Sequence, residues 1–277
     1  MASLAVAFPR FNNLADQMLE TINGNLYDFP KYYDLVYGSD WKAEVDFLEA
    51  CFAKHVRGKV KRLFEPACGT GRLMFRMAQA GYDVAGLDLN EKAVEFCNAR
   101  LEKHDLKPTA FVGDMCDFTL KRPVDAAFNT INSFRHLGSE EQALAHLQCV
   151  AKSLRKDGIY VLGLHLSPTK GEPLETESWA ARRGHLSVLS RLWVIERNRR
   201  RRQERVGMSF DVYTPTRQFR INDESSFRMY SAAQMASLLD SVSQFELLET
   251  YDFGYEIDEP IEIDGSTEDV VYILRRR

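Results

Sequence analysis

The chain has 277 residues, of which 45% are hydrophobic and 27% are charged, as in an ordinary globular protein. This length can bury one substantial core, and the net charge of −4 argues against nucleic acid as the main partner. No apolar run approaches the roughly 18 residues that a membrane helix needs, and the five cysteines lack Cys-x-x-Cys spacing. We therefore expect a cytoplasmic protein with reduced thiols and no membrane span.

The N-terminal 38 residues are expected to cover the rest of the fold. Apolar residues recur at helical spacing over 10–23, which predicts a helix. A tyrosine-rich segment that includes Tyr33 and Tyr37 follows it. Tyrosines in such a segment can cover the edge of a core with an apolar ring while the hydroxyl stays in water.

The most informative feature is a glycine turn between an apolar run and a helical segment. The run over 60–66 predicts a strand that carries Glu65 near its end, and residues 71–80 predict a helix. Gly69 and Gly71 lie between them, where a Cβ atom would hold a flat ligand away or prevent the turn. A strand, glycine loop and helix form the unit that binds adenosine-type cofactors in open α/β sheets.

Acidic residues follow the next two predicted strands. Asp88 ends the second strand, where a carboxylate can hold ribose hydroxyls. Asp114 and Met115 follow the third strand and can provide a polar group and an apolar face for an adenine ring. Met74 stands where a dinucleotide fingerprint has its third glycine, which weakens a nicotinamide-binding hypothesis.

Strands and helices then alternate, which predicts a parallel sheet with right-handed crossovers. Further helices are predicted over 40–55, 90–103, 139–154 and 231–242, with Ser39, Asn90 and Ser231 as N-caps. Further strands are predicted over 82–88, 108–113, 123–129, 158–166, 245–252 and 269–274, with a turn at Asp157-Gly158.

Residues 167–226 interrupt this alternation and predict an inserted antiparallel meander. Its strand-like runs cover 186–195, 205–214 and 217–227. An arginine-rich stretch over 197–205 lies between the first two runs. Two interpretations stay open for it, a hairpin tip with solvated arginines and a docking surface for an anionic partner.

Motifs at three successive strand ends resemble those of the class I S-adenosylmethionine-dependent methyltransferases: Glu65-x-x-x-Gly69-x-Gly71, Asp88 and Gly113-Asp114-Met115. The glycine loop is most similar to that of the branch that acts on small molecules. The resemblance implies an α/β fold with a doubly wound, seven-stranded, mostly parallel sheet whose last strand is antiparallel. It also implies a single methyltransferase domain over 1–277, with residues 1–38 as a lid or cover and the β insertion over the active site.

The resemblance further implies S-adenosyl-L-methionine as cofactor and S-adenosyl-L-homocysteine as product, and no motif suggests a metal site. Methyl transfer is an in-line displacement, so the protein mainly aligns a nucleophile and excludes water. The residues implied in cofactor binding are Tyr33, Glu65, Ala67, Gly69, Gly71, Arg72, Asp88, Leu89, Asp114, Met115 and Asn129.

The segment after the strand over 123–129 resembles the Asn-Ser-Phe-x-His-Leu segment of several small-molecule methyltransferases. His136 in this segment is the candidate general base, because its ordinary pKa lies near neutrality. The alternative for His136 is a packing or capping role, and His165 is the rival base. The candidate substrate contacts are Tyr37, Asn132, Ser133, His165, Arg191 and Tyr213.

These residues predict methyl transfer to nitrogen or oxygen of a small-molecule acceptor by a monomer or homodimer. Two other functions stay open. The arginine-rich stretch could dock an RNA or a protein for methylation, or the chain could be a non-catalytic or nicotinamide-binding Rossmann-like protein. The acceptor itself depends on the insertion and cannot be identified from the sequence.

Overall fold

The computed structural model describes residues 19–170 and 175–277, which form a seven-stranded and a five-stranded sheet with six α-helices. The helices are α1 (Pro30–Tyr37), α2 (Lys42–His55), α3 (Arg72–Gln79), α4 (Glu91–Lys103), α5 (Glu140–Ser153) and α6 (Ala232–Asp240). The strands are β1 (Glu20–Asn23), β2 (Arg62–Pro66), β3 (Asp83–Asp88), β4 (Ala110–Val112), β5 (Val124–Asn129), β6 (Leu154–His165), β7 (Thr176–Arg183), β8 (Leu186–Asn198), β9 (Gln203–Tyr213), β10 (Gln218–Arg228), β11 (Phe245–Tyr251) and β12 (Asp269–Arg276). Two 3₁₀ helices cover Leu26–Asp28 and Ser133–His136.

The larger sheet has the strand order β11-β12-β6-β5-β2-β3-β4. β12 runs antiparallel to both of its neighbours, and the pairs among β6, β5, β2, β3 and β4 are parallel. This confirms the predicted doubly wound, mostly parallel sheet with an antiparallel last strand. Because these five strands are parallel, the loops that follow them meet at one edge of the sheet.

Helices cover both faces of this sheet. Buried side chains of α2, α3 and α4, such as Leu48, Met74 and Cys97, belong to one core cluster. Side chains of α5 and α6, such as Leu147 and Leu238, belong to a second cluster. Helices on the two faces explain why the central strands are almost continuously apolar. None of the helices within 19–170 and 175–277 is long and apolar enough to cross a membrane.

The predicted N-caps of two helices are confirmed. The side chain of Asn90 accepts from the backbone N–H of Ala93 (3.0 Å), and Ser231 accepts from that of Gln234 (3.3 Å). The prediction for Ser39 is wrong, because α2 begins after Trp41, which makes no side-chain capping bond.

The fifth strand of the larger sheet begins earlier than predicted. α5 passes directly into β6 at Leu154. The pairing register with β5 shifts between Leu154 and Ile159. The turn predicted at Asp157-Gly158 is therefore a bulge inside β6.

The smaller sheet has the order β1-β10-β9-β8-β7 and corrects two predictions. The helix predicted over 10–23 is wrong at its end, where β1 pairs in parallel with residues 219–222 of β10, and residues 10–18 lie outside the described ranges. Pairing with a strand distant in sequence overrides the local helical pattern. The insertion contains four strands instead of three, because the polar strand β7 was not predicted.

The arginine-rich stretch forms the predicted hairpin, between β8 and β9. Several of its arginines are ion-paired instead of simply solvated. Arg197 pairs with Glu204 (2.6 Å), Arg202 pairs with Glu140 (2.7 Å), and Arg205 lies 3.3 Å from Glu224. Residues 199–201 at the tip are exposed, and so are Gln203 and Arg205.

Candidate active site

The loop after β2 presents its backbone at the carboxyl edge of the larger sheet. Ala67, Gly69 and Gly71 have positive φ values of 55°, 53° and 71°. A Cβ atom on Gly69 would meet nothing within 4 Å, so this residue faces open space that a ligand can enter. A Cβ atom on Gly71 would overlap the Sγ atom of Cys97. Gly69 thus suits ligand approach, whereas Gly71 serves the packing of the loop against α4.

Asp88 lies next to this loop at the end of β3. Its Oδ2 accepts from the backbone N–H of Gly69 (2.8 Å), and its Oδ1 accepts from that of Asn90 (2.9 Å). Burial raises the pKa of the Asp88 carboxyl group, and the backbone donors oppose this rise. The neighbouring Leu89 is 76% exposed although it is apolar. An acid beside an uncovered apolar side chain suits a ribose with an attached base.

Glu65 and Asn129 lie beneath the glycine loop. Glu65 is 8% exposed, and its Oε2 accepts from the backbone N–H of Met74 (3.0 Å), so it holds the first turn of α3. Burial is the main reason that the pKa of Glu65 is raised. Asn129 donates to the carbonyl of Pro66 (2.8 Å), whereas its buried Oδ1 has no partner among the described residues. A buried acceptor without a protein partner can receive a donor from a ligand or a water.

Asp114 and Met115 form the loop after β4. The Oδ1 atom of Asp114 accepts from the backbone N–H of Cys116 (2.8 Å), and the residue is exposed. The carbonyl of Met115 is hydrogen-bonded to His146 (3.0 Å), and its side chain packs against the core beneath α5. The carboxylate of Asp114 is therefore exposed at this edge, whereas the apolar face expected of Met115 stays a prediction, because its side chain packs against the core.

Arg72, whose cofactor contact stays a prediction, is engaged in an ion pair. Its guanidinium forms a bidentate pair with Glu44 (2.5 and 2.9 Å), which is 5% exposed. Thr130 donates to the same carboxylate, and the hydroxyl of Tyr255 donates to the carbonyl of Thr130 (3.2 Å). This network joins α2, α3 and the loops after β5 and β11, so Arg72 mainly fixes the edge on which the site is built.

Tyr33 and Tyr37 of α1 pack against the core of the smaller sheet, and Tyr27 of the turn before α1 contacts Tyr33. The ring of Tyr33 lies 5.2 Å from that of Tyr27 and 4.8 Å from that of Tyr37. The Tyr37 hydroxyl is hydrogen-bonded to Ser190 of β8 (2.9 Å), and burial raises the pKa of Tyr37 to about 12. Burial is also the main cause of the raised pKa of Tyr33, and Asp88 adds to it. The two predicted tyrosines therefore lie between the glycine edge and the inserted sheet.

His136 ends the short helix after β5. Its Nε2 atom is hydrogen-bonded to the hydroxyl of Tyr27 (3.0 Å), and its ring lies 4.7 Å from that of Phe227. Desolvation by the surrounding protein is the main cause that lowers the pKa of His136 to about 4, and the charge of Arg135 adds to it. The residue nevertheless keeps an exposed surface. The imidazole is therefore neutral at pH 7.

The other candidate substrate residues divide into two groups. His165 lies at the end of β6 and is paired with Asp269 (2.6 Å). Asn132 accepts from the backbone N–H of His165 (2.8 Å) and precedes Ser133 in the same turn. His165, Asn132 and Ser133 are thus brought together at the carboxyl edge.

Arg191 and Tyr213 are not brought to this edge. Ser190 and Phe210 contact Tyr37 on the inner face of the smaller sheet, and side chains alternate along a strand. Arg191 of β8 and Tyr213 of β9 therefore belong to the outer face, where Arg191 pairs with the buried Asp211 (3.5 Å). The alternation of side chains along a strand shows which residues share a face of the sheet. It does not show which of the two faces is covered by the rest of the protein.

Sequence reasoning missed several residues of the site, among them Tyr27, Glu44 and Thr130. Glu44 shares an i, i+4, i+7 stripe of α2 with the buried Leu48 and Cys51. A carboxylate within an apolar stripe was a usable signal, because a buried charge requires a partner. Tyr27 and Thr130 carried no comparable signal.

Comparison with known proteins accords with this geometry. Residues 64–158 match a family model described as a methyltransferase domain. Residues 64–158 therefore carry a methyltransferase domain. These residues run from β2 into β6, and so they include the glycine loop, Asp88, Asp114 and His136.

Solved structures match the fold of nearly the whole chain. An S-adenosylmethionine-dependent methyltransferase of Clostridium acetobutylicum has a TM-score of 0.74 at 18% identity and covers 91% of this chain and 99% of its own. The amino pentose methyltransferase CalS10 of Micromonospora echinaspora, solved with S-adenosylmethionine bound, has a TM-score of 0.68 at 18% identity over 93% of this chain and 99% of its own. The predicted fold is confirmed over nearly the whole chain, and the predicted methyltransferase family is confirmed for residues 64–158. S-adenosylmethionine, the predicted cofactor, is bound in CalS10.

One curated relative carries a specific activity in its name. The dTDP-3-amino-3,6-dideoxy-alpha-D-glucopyranose N,N-dimethyltransferase of Streptomyces fradiae is 30% identical over 140 residues, which make up 49% of this chain and 52% of the relative. The chain spans about half the length of the curated relatives it matches, from 43% to 56%.

Proposed function

We propose that this methyltransferase transfers a methyl group from S-adenosylmethionine to a nitrogen of a small-molecule acceptor, with oxygen as the less favoured atom. The observation that carries the proposal is the open space at Gly69, which is bordered by Asp88. Asn129, whose buried Oδ1 has no partner among the described residues, ends the neighbouring strand at the same edge. The three residues follow neighbouring parallel strands, where open sheets bind ligands.

The residues of this edge fit the cofactor. Asp88 would accept from the ribose hydroxyls, and Gly69 leaves the backbone bare for close approach. Asp114 would accept from the adenine amino group, while Tyr33 would cover the methionyl end. Arg72 and Glu65 support the edge without contacting the cofactor. When bound, S-adenosylmethionine supplies the methyl group on a sulfonium centre.

The lowered pKa of His136 favours nitrogen over oxygen as the acceptor atom. An imidazole with a lowered pKa is too weak a base to remove a proton from an alcohol before attack. A neutral amine attacks without losing a proton, so alignment by the surrounding tyrosines is sufficient. The methylated nitrogen then carries an extra proton, which His136 or water can accept. The amino-sugar acceptors in the names of the S. fradiae enzyme and CalS10 agree with this choice.

Mass spectrometry of the purified chain tests the proposal. We expect S-adenosylhomocysteine to co-purify with the chain, and a nucleotide-linked amino sugar supplied with S-adenosylmethionine to become heavier by one or two methyl groups. The matched control is the same sugar with a hydroxyl in place of the amine. Methylation of the hydroxyl sugar alone would refute the choice of nitrogen, and failure to bind either form of the cofactor would refute the whole proposal.

The pH dependence of the rate tests the role of His136. If His136 instead accepts a proton during the transfer itself, His136→Ala should lower kcat by about 10²–10⁴, with cofactor affinity little changed. The acidic limb of the wild-type profile should lie below the ordinary value of 6.5 and vanish in the variant. A limb that persists in His136→Ala would assign the titration to another group and leave His136 a packing role.

The oligomeric state and the cytoplasmic location stay predictions, and so do the roles of residues 1–38 as a cover and of 167–226 as the part that selects the acceptor.

A further inference from the structure

A buried histidine that the proposed reaction does not use lies directly behind the loop of Asp114 and Met115. His146 belongs to α5 and is 1% exposed. Its Nδ1 atom lies 3.0 Å from the carbonyl oxygen of Met115, and its Nε2 atom lies 2.8 Å from the hydroxyl of Tyr160 on β6. Tyr160 is itself fully buried.

The partners of His146 determine its tautomer. A carbonyl oxygen only accepts, so Nδ1 must carry the hydrogen and donate it to Met115. Burial lowers the pKa of His146 to about 4, and the ring is therefore neutral at pH 7. In a neutral ring with hydrogen on Nδ1, Nε2 is an acceptor, and Tyr160 donates to it. The direction of both hydrogen bonds is thus fixed.

The peptide group that His146 holds is also the one that holds Asp114. The carbonyl of Met115 and the N–H of Cys116 belong to one planar peptide unit. While the carbonyl accepts from His146, the N–H donates to Oδ1 of Asp114 (2.8 Å). The chain of hydrogen bonds therefore runs from Tyr160 through His146 and the peptide unit to the Asp114 carboxylate, and such chains strengthen their members.

A second side chain of α5 acts on the same loop. The thiol of Cys149 lies 3.3 Å from the carbonyl of Cys116 and donates to it. His146 and Cys149 are three residues apart on the helix, so they share one face. Two donors on this face engage two consecutive carbonyls of the loop and fix its orientation relative to the sheet.

We propose that His146 is a positioning residue that aims the Asp114 carboxylate, so that the site selects a 6-amino purine over a 6-oxo purine. Because Oδ1 of Asp114 is engaged by Cys116, Oδ2 accepts from the amino group of adenine. A 6-oxo purine presents an oxygen there, which repels the carboxylate. The inference rests on the proposed function, since it assumes that the bound cofactor carries adenine beside Asp114.

Calorimetric binding of two probes to the full chain tests this inference. The probes are S-adenosylhomocysteine and S-inosylhomocysteine, which differ at the 6-position of the purine. We expect wild type to prefer the adenine probe by about tenfold or more, the value of a hydrogen bond to a charged group. In His146→Leu, the adenine probe should bind about five- to tenfold more weakly, and the preference should fall below about twofold.

Three further variants separate positioning from loss of stability. His146→Asn keeps a donor near the position of Nδ1 and should retain most of the preference. Tyr160→Phe removes only the upstream hydroxyl and should weaken the preference about twofold. Leu147→Ala removes a fully buried neighbour on α5, so it should lower the free energy of unfolding while the preference stays at the wild-type value.

The outcomes separate the role of His146 from the proposed function. A wild-type preference retained in His146→Leu would overturn the role of His146, as would equal wild-type affinity for both probes. If His146→Leu does not fold, a wild-type preference in Tyr160→Phe together with a lost preference in His146→Asn would overturn it instead. Failure of wild type to bind S-adenosylhomocysteine would refute the proposed function and not the positioning alone.

Discussion

The two sheets present their functional residues in different ways. In the larger sheet, Gly69, Asp88 and Asp114 follow successive strands, and parallel pairing alone brings their loops to one edge. In the smaller sheet, Arg191 and Tyr213 looked equally suitable, yet they occupy its outer face. Motifs at the ends of parallel strands can therefore be located from sequence, whereas positions within an antiparallel insertion depend on which face is covered.

A buried ion pair joins the two sheets and shows how they depend on each other. Arg135, beside His136, is 7% exposed and lies 2.6 Å from Glu204 of β9, which is 8% exposed. Arg197 of β8 pairs with the same carboxylate. Burial opposes the charge of Glu204, but the two arginines outweigh it and lower the pKa of Glu204. The insertion is thus fixed to the loop that carries the candidate base.

Breaking this ion pair between the insertion and the loop of His136 should have the largest effect of the changes considered, on the free energy of unfolding. Glu204→Gln leaves two arginines without their carboxylate and should lower the free energy of unfolding by about 3–5 kcal/mol. Denaturant unfolding measures this change. Glu196→Gln is the matched control, because Glu196 is 56% exposed and pairs with Arg205 at the surface, so its loss should cost at most about 1 kcal/mol. Equal effects of the two variants would contradict the structural role of Glu204.

The glycine loop allows a second test, on the larger sheet alone. Gly71→Val should cost about 2–5 kcal/mol, because it adds overpacking against Cys97 to an unfavourable positive φ. In Gly69→Ala the positive φ is unfavourable, but the added Cβ atom meets no neighbour, so the cost in stability should be about 1–2 kcal/mol. This variant should also weaken cofactor binding. Thermal unfolding with and without S-adenosylhomocysteine separates the two effects. Full ligand stabilisation of Gly69→Ala would contradict the placement of the ligand beside Gly69.

Asp88→Ala tests the binding edge more directly. Loss of a charged hydrogen-bond partner should weaken S-adenosylhomocysteine binding by about 1.5–3 kcal/mol. Because Asp88 also accepts from Gly69 and Asn90, Asp88→Asn is included to keep one acceptor oxygen. Calorimetry on folded protein gives both affinities. An unchanged affinity in Asp88→Ala would remove Asp88 from the site.

The smallest effect is expected at the tip of the arginine hairpin. Replacing Arg199, Arg200 and Arg201 by serine should change kcat by less than about twofold. It should change the free energy of unfolding by less than about 0.5 kcal/mol, because these residues are exposed. Arg202→Ser is the control, since Arg202 pairs with Glu140. Salt-sensitive RNA binding by wild type that the triple variant loses would instead support the RNA-docking alternative.

The local sequence predicted strands and helices correctly wherever short-range patterns determine the secondary structure. The strands and helices from β2 to α5 were located to within a few residues, because apolar runs, glycine turns and caps such as Asn90 act over a short range. The same local rules failed at residues 20–23, where a helical pattern yields to pairing with β10, and at β7, whose polar sequence becomes a strand only beside β8.

The sequence by itself determined the methyltransferase fold and the positions of Gly69, Asp88, Asp114 and His136, because each lies at or after the carboxyl end of a predicted parallel strand and such ends meet at one edge of a sheet. Only the tertiary structure decided what these residues touch. It engaged Arg72 with Glu44, placed Arg191 on the outer face, and set Tyr27 against His136 and His146 behind Met115. Such partners come from segments up to 109 residues apart in the chain, and a buried charge or polar group selects its partner by burial and geometry, which no local pattern encodes.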